Sequence, residues 1–296
     1  MTTALAPAQP ATAAWLPFAE QPGCTGVRLY CLPHAGGSAS AYRSWFGRLG
    51  GVSVRPVQLP GRETRLRDTP YDRMDLLVPD LADAVLADLV RADTSPGGET
   101  RPYAVYGHSL GALVGFELVR EIRRRGGPAP VHLFVSGCAA PGSPDDGEPP
   151  VAGMTEGEVV ALLRRIGGTP EWMLADPTVL RMILPPFRAD FGVRDTYVYR
   201  PGQPLEVPIT ALAATDDPRA GTADVAGWRD QTTGRFTTHT LTGGHFAVLE
   251  QAPVTHRHID LALRGAPAPW RGTRPSPVSC VTPVPTRSRE AHIAHH

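Results

Sequence analysis

Residues 103–127 read YAVYGHSLGALVGFELVREIRRRGG. Tyr103–Tyr106 is an apolar run of the length of a buried strand. Leu110–Arg125 reads as a helix, and Gly126-Gly127 closes it as C-terminal glycines do. Between the two stands Gly107-His108-Ser109-Leu110-Gly111. A serine on a sharp strand-to-helix turn needs neighbours without a Cβ, because larger residues would collide with the adjacent strand or helix. The turn also puts Ser109 at a helix N-terminus, whose unpaired N–H groups favour a developing oxyanion. A G-x-S-x-G pattern in that context is a nucleophile elbow, so Ser109 is the predicted nucleophile.

Working outward, the same strand–helix rhythm recurs. Val27–Leu32 is a strand followed by a Gly-rich turn, Ser40–Leu49 a helix and Val52–Val57 the next strand. Leu76, Leu77, Leu81, Val85 and Leu89 mark a helical stripe, with Pro79 at a kink or near its start. Val131–Ser136, Pro208–Ala213 and Arg235–Leu241 read as strands, Asp224–Gln231 as a short helix and Phe246–Leu263 as the last helix. Repeated βα units predict an α/β fold with a mostly parallel sheet and helices on both faces. Residues from about 141 to 199 interrupt the rhythm. Thr155–Ile166 is a helix with a Thr155/Glu158 capping box, and Pro177–Leu184 is a second, which Pro185-Pro186 should break. A helical insertion at that point is expected over the C-terminal strand edge, where ligands bind. The Ala/Thr/Pro-rich segment 1–14 and the Pro-rich, aperiodic tail 265–296, with His292, His295 and His296, are expected to be disordered, leaving one domain over 15–264.

Composition narrows the function. The chain has 296 residues, 42% of them hydrophobic, enough for a core. Its 29 basic residues balance 29 acidic ones, and a net charge of zero argues against nucleic acid as partner. Four cysteines without C-x-x-C spacing give neither a disulfide framework nor a zinc site and suit a reducing cytosol. No run of about 18 apolar residues exists, so no membrane span is predicted, and the N-terminus lacks a signal-peptide pattern.

A serine is a poor nucleophile at neutral pH and needs a base beside it, oriented in turn by an acid. On an elbow fold the order is Ser, then Asp or Glu, then His. His245, in Thr242-Gly243-Gly244-His245-Phe246, follows a strand and precedes the last helix. His239 lies within a strand pattern, His256 and His258 within a helix, and His132 begins a strand, so none of these competes. The acid is Asp216 or Asp217, both just after the strand Pro208–Ala213; Pro218 biases Asp217 to an extended backbone. The oxyanion hole needs two N–H donors. Leu110, directly after the nucleophile, is one; Ala35, in the loop Pro33-His34-Ala35-Gly36-Gly37, is the other. His34 precedes the nucleophile, so it is expected to shape that loop and not to act as base.

CLPHAGGSAS at 31–40, VQLPGRETRL at 57–66, YGHSLGAL at 106–113, Asp216-Asp217-Pro218 and GGHF at 243–246 occur together in order. The chain from about Trp15 to Leu263 thereby resembles the stand-alone type II thioesterases of polyketide synthase and nonribosomal peptide synthetase pathways. PHAGG and LPGRE carry most of the specificity. The resemblance implies the α/β-hydrolase fold with a helical lid. It implies hydrolysis of acyl groups from the phosphopantetheine thiol of acyl or peptidyl carrier proteins, clearing stalled or misprimed assembly lines. It implies Ser109 as nucleophile, His245 as base and Asp217 as the triad acid, with no metal and no organic cofactor, in the cytoplasm. The rivals are a carboxylesterase or lipase with the same triad, a macrocyclising release enzyme, and a non-catalytic hydrolase fold used for binding.

Two further expectations concern substrate. Trp172, Met173, Leu174, Ile183, Leu184 and Phe187 in the insertion would line an acyl channel or form the core of the lid. Arg62, Arg65 and Arg67, after the LPGRE turn, are the expected carrier-docking patch, with pairing of Arg62 to an acid as the alternative. Arg120, Arg123, Arg124 and Arg125 lie at the far end of the Ser109 helix, away from the site.

Overall fold

A computed structural model describes residues 11–18, 24, 26–93, 101–143 and 149–264. Six strands, β1 (Arg28–Leu32), β2 (Ser53–Pro56), β3 (Tyr103–His108), β4 (His132–Ser136), β5 (Ile209–Ala214) and β6 (Phe236–Leu241), form one sheet in the order β2-β1-β3-β4-β5-β6. Every pairing is parallel. The five strands β1 to β5 are buried along their whole length, as the short apolar runs require when both faces of a parallel sheet are covered.

The period-2 alternation sorts the strand side chains into two cores. Tyr30, Leu32, Tyr103, Val105, Leu133 and Val135 enter the layer under α2 (Met74–Asp93) and α3 (Leu110–Arg124). Their neighbours Leu29, Cys31, Ala104, Tyr106 and Phe134 point the other way, against Trp45 and the last two helices. A short helix, α1 (Ala11–Trp15), packs on α2, so the order of the chain begins earlier than Trp15. Its last residue, Trp15, and the following Leu16 are buried in the first core, which holds the helix down where composition alone reads as unstructured. The tail 265–296 and residues 1–10 lie outside the described residues.

The insertion between β4 and β5 carries α4 (Glu156–Ile166), α5 (Glu171–Ala175) and α6 (Pro177–Asp195). The capping box forms: Glu158 N–H donates to Thr155 Oγ1 at 3.3 Å, and Thr155 N–H to Glu158 Oε2 at 2.7 Å. The three helices share a separate apolar core that includes Val159, Leu163, Leu174, Leu184, Phe187 and Phe191. Here the structure corrects the expected break, because α6 runs through Pro185-Pro186 for 19 residues. Tertiary packing outweighs the two missing N–H donors. Leu184 before the prolines and Phe187 and Phe191 after them are buried in the same cluster.

Smaller departures have local causes. Ala39–Trp45 is a 3₁₀ segment, not an α-helix, and Asp224–Gln231 divides into α7 (Thr222–Ala226) and a 3₁₀ turn, Gly227–Gln231. The last helix is two, α8 (Ala247–Glu250) and α9 (Ala252–Arg264). Pro253 has no N–H to continue α8 and sits instead in the first turn of α9, where none is needed. Pro79 lies inside α2 at its sixth residue.

The strand order fixes where a ligand can sit. From β1 the chain steps to β2 on one side, then crosses back to β3 on the other. The C-terminal ends of β1 and β3 therefore flank a topological switch point, where such sheets open a crevice. The loop at 33–37 leaves one of those ends and the Ser109 turn leaves the other.

Candidate active site

Ser109 has φ 55° and ψ −122°, a left-handed-side backbone that side chains rarely adopt. Its neighbours allow it. A Cβ on Gly107 would fall on the backbone of Gly111 and Ala112, and one on Gly111 on the carbonyls of Leu32 and Pro33. The turn is pinned to the next strand: Ser109 N–H donates to the Ser136 carbonyl at 2.8 Å, and His108 Nδ1 meets Ser136 Oγ at 3.0 Å. The structure therefore holds Ser109 at the head of α3 by backbone and sterics, independent of its own side chain.

His245 and Asp217 arrive on the loops after β6 and β5. His245 Nδ1 lies 2.9 Å from both Asp217 oxygens, and the two side chains are 2% and 0% exposed. Asp217 Oδ1 also accepts the Arg219 N–H at 2.8 Å. A carboxylate only accepts, so Nδ1 carries the proton and Nε2 is left as the basic nitrogen. Asp216 is exposed; its carboxylate meets Thr215 Oγ1, and its N–H donates to the Gly243 carbonyl. It ties the two loops together, and His245 meets Asp217. Ser109 and His245 border the same cavity.

Two other imidazoles crowd this one. His108 lies 4.9 Å from His245, ring to ring, and His34 lies 5.9 Å from His108. Burial, reinforced by His245 and Arg62, pushes His34 down to about 4 from 6.5, and burial lowers His108 as well. Both stay neutral near pH 7. The remaining described histidines lie elsewhere: His132 on Thr210, His256 against Trp45, and His239 stacked on His258.

The loop at 33–37 presents three amides in succession. Gly36 N–H donates to Asp190 Oδ2 at 2.7 Å and Gly37 N–H to the His34 carbonyl at 2.9 Å. Among the described residues the Ala35 N–H makes no hydrogen bond. The Leu110 N–H opens α3, where no earlier turn of the helix supplies an acceptor. Ala35 and Leu110 both border the space around Ser109.

Arg62 is not a surface cation. It is 6% exposed, and its guanidinium grips Asp190 of α6 at 2.5 and 2.7 Å while donating to the Gly37 and Pro60 carbonyls. Arg65 stacks on Trp15 at 4.5 Å and pairs with Asp68. Arg62 thus follows the alternative reading, pairing with an acid, while Arg65 is half-buried and Arg67 is exposed. The distal cluster is paired too, Arg120 with Glu117 and Arg124 and Arg125 with Glu121. Sequence reading missed Asp190. The signal was a carboxylate three residues after Phe187, on the same helical face; an acid beside an apolar stripe needs a buried partner.

Two cavities meet at Ser109. One, of about 190 Å³, runs under the lid along Leu163, Ile166, Met173, Ile183 and Phe187. The other, of about 690 Å³, runs past Arg194, Tyr197, Tyr199, Arg219 and Asp224. Phe191 and Arg219 border both. Of the six lid residues expected to line a channel or a core, Met173, Ile183 and Phe187 reach the cavity and Leu174 and Leu184 pack the lid. Trp172 does neither and is 67% exposed.

The parallel sheet, the strained serine turn and the buried His–Asp pair define the α/β-hydrolase class. A thioesterase-domain family model matches residues 27–263. The chain belongs to that family, hydrolases that act on acyl thioesters. It is 38% identical over 247 residues to thioesterase PikA5 of Streptomyces venezuelae, covering 82% of this chain and 84% of that one. RedJ, a thioesterase from the prodiginine pathway of Streptomyces coelicolor, superposes with a TM-score of 0.71 at 36% identity, covering 84% of this chain and 93% of that one. BorB, a type II thioesterase from the borrelidin cluster, gives 0.71 at 36% identity, covering 85% and 98%. Close relatives are type II, editing thioesterases of polyketide and nonribosomal peptide pathways. Among the described residues no helix is long and apolar enough to cross a membrane.

Proposed function

We propose that the chain hydrolyses acyl groups from the phosphopantetheine thiol of acyl or peptidyl carrier proteins, clearing stalled or misprimed chains, and that it works in the cytoplasm as one domain over about 11–264. The observation that carries this reading is the meeting of two unlike cavities at Ser109. An acyl-pantetheine thioester has an apolar half and an amide-rich half that ends in a phosphate. The apolar space under the lid suits the first. The larger space, with Arg194, Arg219 and two tyrosines on its walls, suits the second.

The chemistry follows from the arrangement. Ser109 Oγ attacks the thioester carbonyl carbon while His245 Nε2 takes its proton. Asp217 holds the Nδ1–H tautomer and stabilises the imidazolium. The oxyanion receives the Leu110 and Ala35 N–H groups. The C–S bond breaks, His245 returns the proton to the leaving thiolate, and the acyl-Ser remains. A water, deprotonated by His245, then releases the free acid and restores Ser109. A carboxylesterase would use the same triad, and membership of the thioesterase family favours the thioester.

The test compares an acyl group on a pantetheine-loaded carrier with the same acyl group as a p-nitrophenyl ester, with Ser109→Ala as control. The expected result is turnover of the carrier thioester, an acyl adduct on Ser109, and neither with the variant. Turnover confined to the ester, or a Ser109→Ala protein that still forms the adduct, refutes the reading.

A further inference from the structure

The lid and the oxyanion loop touch through one face of α6. Phe187 packs directly on Gly36, with its Cδ2 3.1 Å from where a Cβ on that glycine would stand. One turn later Asp190, 2% exposed, accepts the Gly36 N–H at 2.7 Å and both arms of Arg62. Arg62 in turn holds the Gly37 carbonyl at 2.9 Å. Asp190 thus reaches across 154 residues of chain to fix the peptide between Ala35 and Gly36. That peptide follows the Ala35 N–H by one residue, and Gly36 has φ 75°, so nothing in its own side chain restrains it.

We propose that Asp190 is a positioning residue, which aims the Ala35 N–H at the oxyanion and makes a formed oxyanion hole conditional on a seated lid. The inference rests on the oxyanion role given to Ala35 above. It has a physical logic. A donor that stabilises developing charge must be preorganised, and a glycine-rich loop is preorganised only by what it is tied to. With the lid lifted, Gly36 loses its acceptor and Arg62 its counter-ion together. Water-exposed enzyme is then a poor catalyst, and a docked lid completes the site.

The test reads ground state and transition state separately. Wild type and Asp190→Ala, and Asp190→Ala and Asp190→Asn in an Arg62→Met background, are compared for hydrolysis of an acyl-pantetheine thioester. They are also compared for binding of two inhibitors with the same acyl chain: a trifluoromethyl ketone, which Ser109 converts to an oxyanion adduct, and an amide analogue of the substrate. Asp190→Ala should lower kcat by roughly ten- to a hundredfold, part of the 10²–10³ that deleting a donor outright costs, and leave KM within about threefold. Ketone affinity should fall by the same factor and amide affinity should not. In the Arg62→Met background, where no guanidinium faces the amide NH₂, Asp190→Asn keeps an oxygen for the Gly36 N–H and should recover most of the loss that Asp190→Ala shows in that background. If Asp190→Ala does not fold, Asp190→Ala combined with Arg62→Met removes both buried charges and carries the same comparison. A folded variant with wild-type kcat, equal losses of ketone and amide, or Asn no better than Ala in the Arg62→Met background overturns the positioning role alone. A wild type inert on the thioester refutes the proposed function, and this inference with it.

Discussion

Replacing Asp217 with Asn changes one atom in a fully buried side chain and separates the two candidate acids. Both carboxylate oxygens lie 2.9 Å from His245 Nδ1, and Oδ1 also accepts the Arg219 N–H at 2.8 Å. In Asp217→Asn the Arg219 N–H claims the amide oxygen for the Oδ1 position. The amide NH₂ is left at the Oδ2 position, facing Nδ1. Two N–H groups cannot face each other at that distance, so the imidazole is driven towards the tautomer with its proton on Nε2. That tautomer cannot take a proton from Ser109, and the imidazolium loses its counter-charge. The expected loss in kcat is roughly three to four decades, or about 4 to 5 kcal/mol of transition-state stabilisation. Asp216→Asn keeps an oxygen for Thr215 Oγ1 on an exposed side chain. A change of that kind is within about 0.5 kcal/mol, so its turnover should stay within about threefold. Both are measured by release of free pantetheine thiol from an acyl-pantetheine substrate, with melting temperatures to confirm that each variant is folded. Comparable losses at the two positions, or an Asp217→Asn enzyme within tenfold of wild type, refute the argument.

Four further outcomes follow from the same geometry. Gly111→Ala, whose Cβ falls on two backbone carbonyls, should cost more than about 4 kcal/mol or prevent folding, while Gly153→Ala, with nothing within 4 Å, should be nearly neutral in chemical denaturation. Ile183→Trp should fill the lid cavity and shift the kcat/KM ratio towards short acyl chains by about 10- to 200-fold per methylene excluded, whereas Trp172→Ala leaves the ratio unchanged. His34 and His132 are held neutral by burial, each pushed down to about 4, so the unfolded chain takes up protons first and stability falls with pH from about 6.5 towards 4, by about 2 kcal/mol per residue at pH 5. His132→Gln should flatten that profile, and an unfolding midpoint constant from pH 7 to pH 5 contradicts it. Arg62→Ala should lower the melting temperature and slow carrier-bound and small pantetheine substrates alike, without the salt dependence of a docking contact.

The sequence was most legible where a local rule has a single solution. A serine between two glycines, after an apolar strand and before a helix, leaves few alternatives to an elbow, and Gly107 and Gly111 owe their identity to contacts within that turn and with β1. The order of Ser109, the Asp216/Asp217 pair and His245 along the chain follows from the order of strands whose ends converge. What separates Asp217 from Asp216 is one residue of register on a loop, and composition there is equal. Helix continuity failed for a different reason. Pro185-Pro186 breaks a helix judged alone, and the burial of Leu184, Phe187 and Phe191 in one cluster outweighs it.

Of the two readings open for Arg62, the structure selects pairing with an acid, and the choice shows what separates a motif's specificity from its role. PHAGG and LPGRE mark the family, and an arginine beside a loop near the site invites a docking function. Yet its guanidinium is spent entirely inside the protein, on Asp190 and on the carbonyls of Gly37 and Pro60. The partner lies 128 residues away, on the helix that the prolines seemed to end. The two motifs are therefore one structural unit with α6: the first supplies the loop at 33–37, the second the cation beside it, and the lid the carboxylate that binds both. Unpairing such a buried charge is costly, so each member constrains the other two.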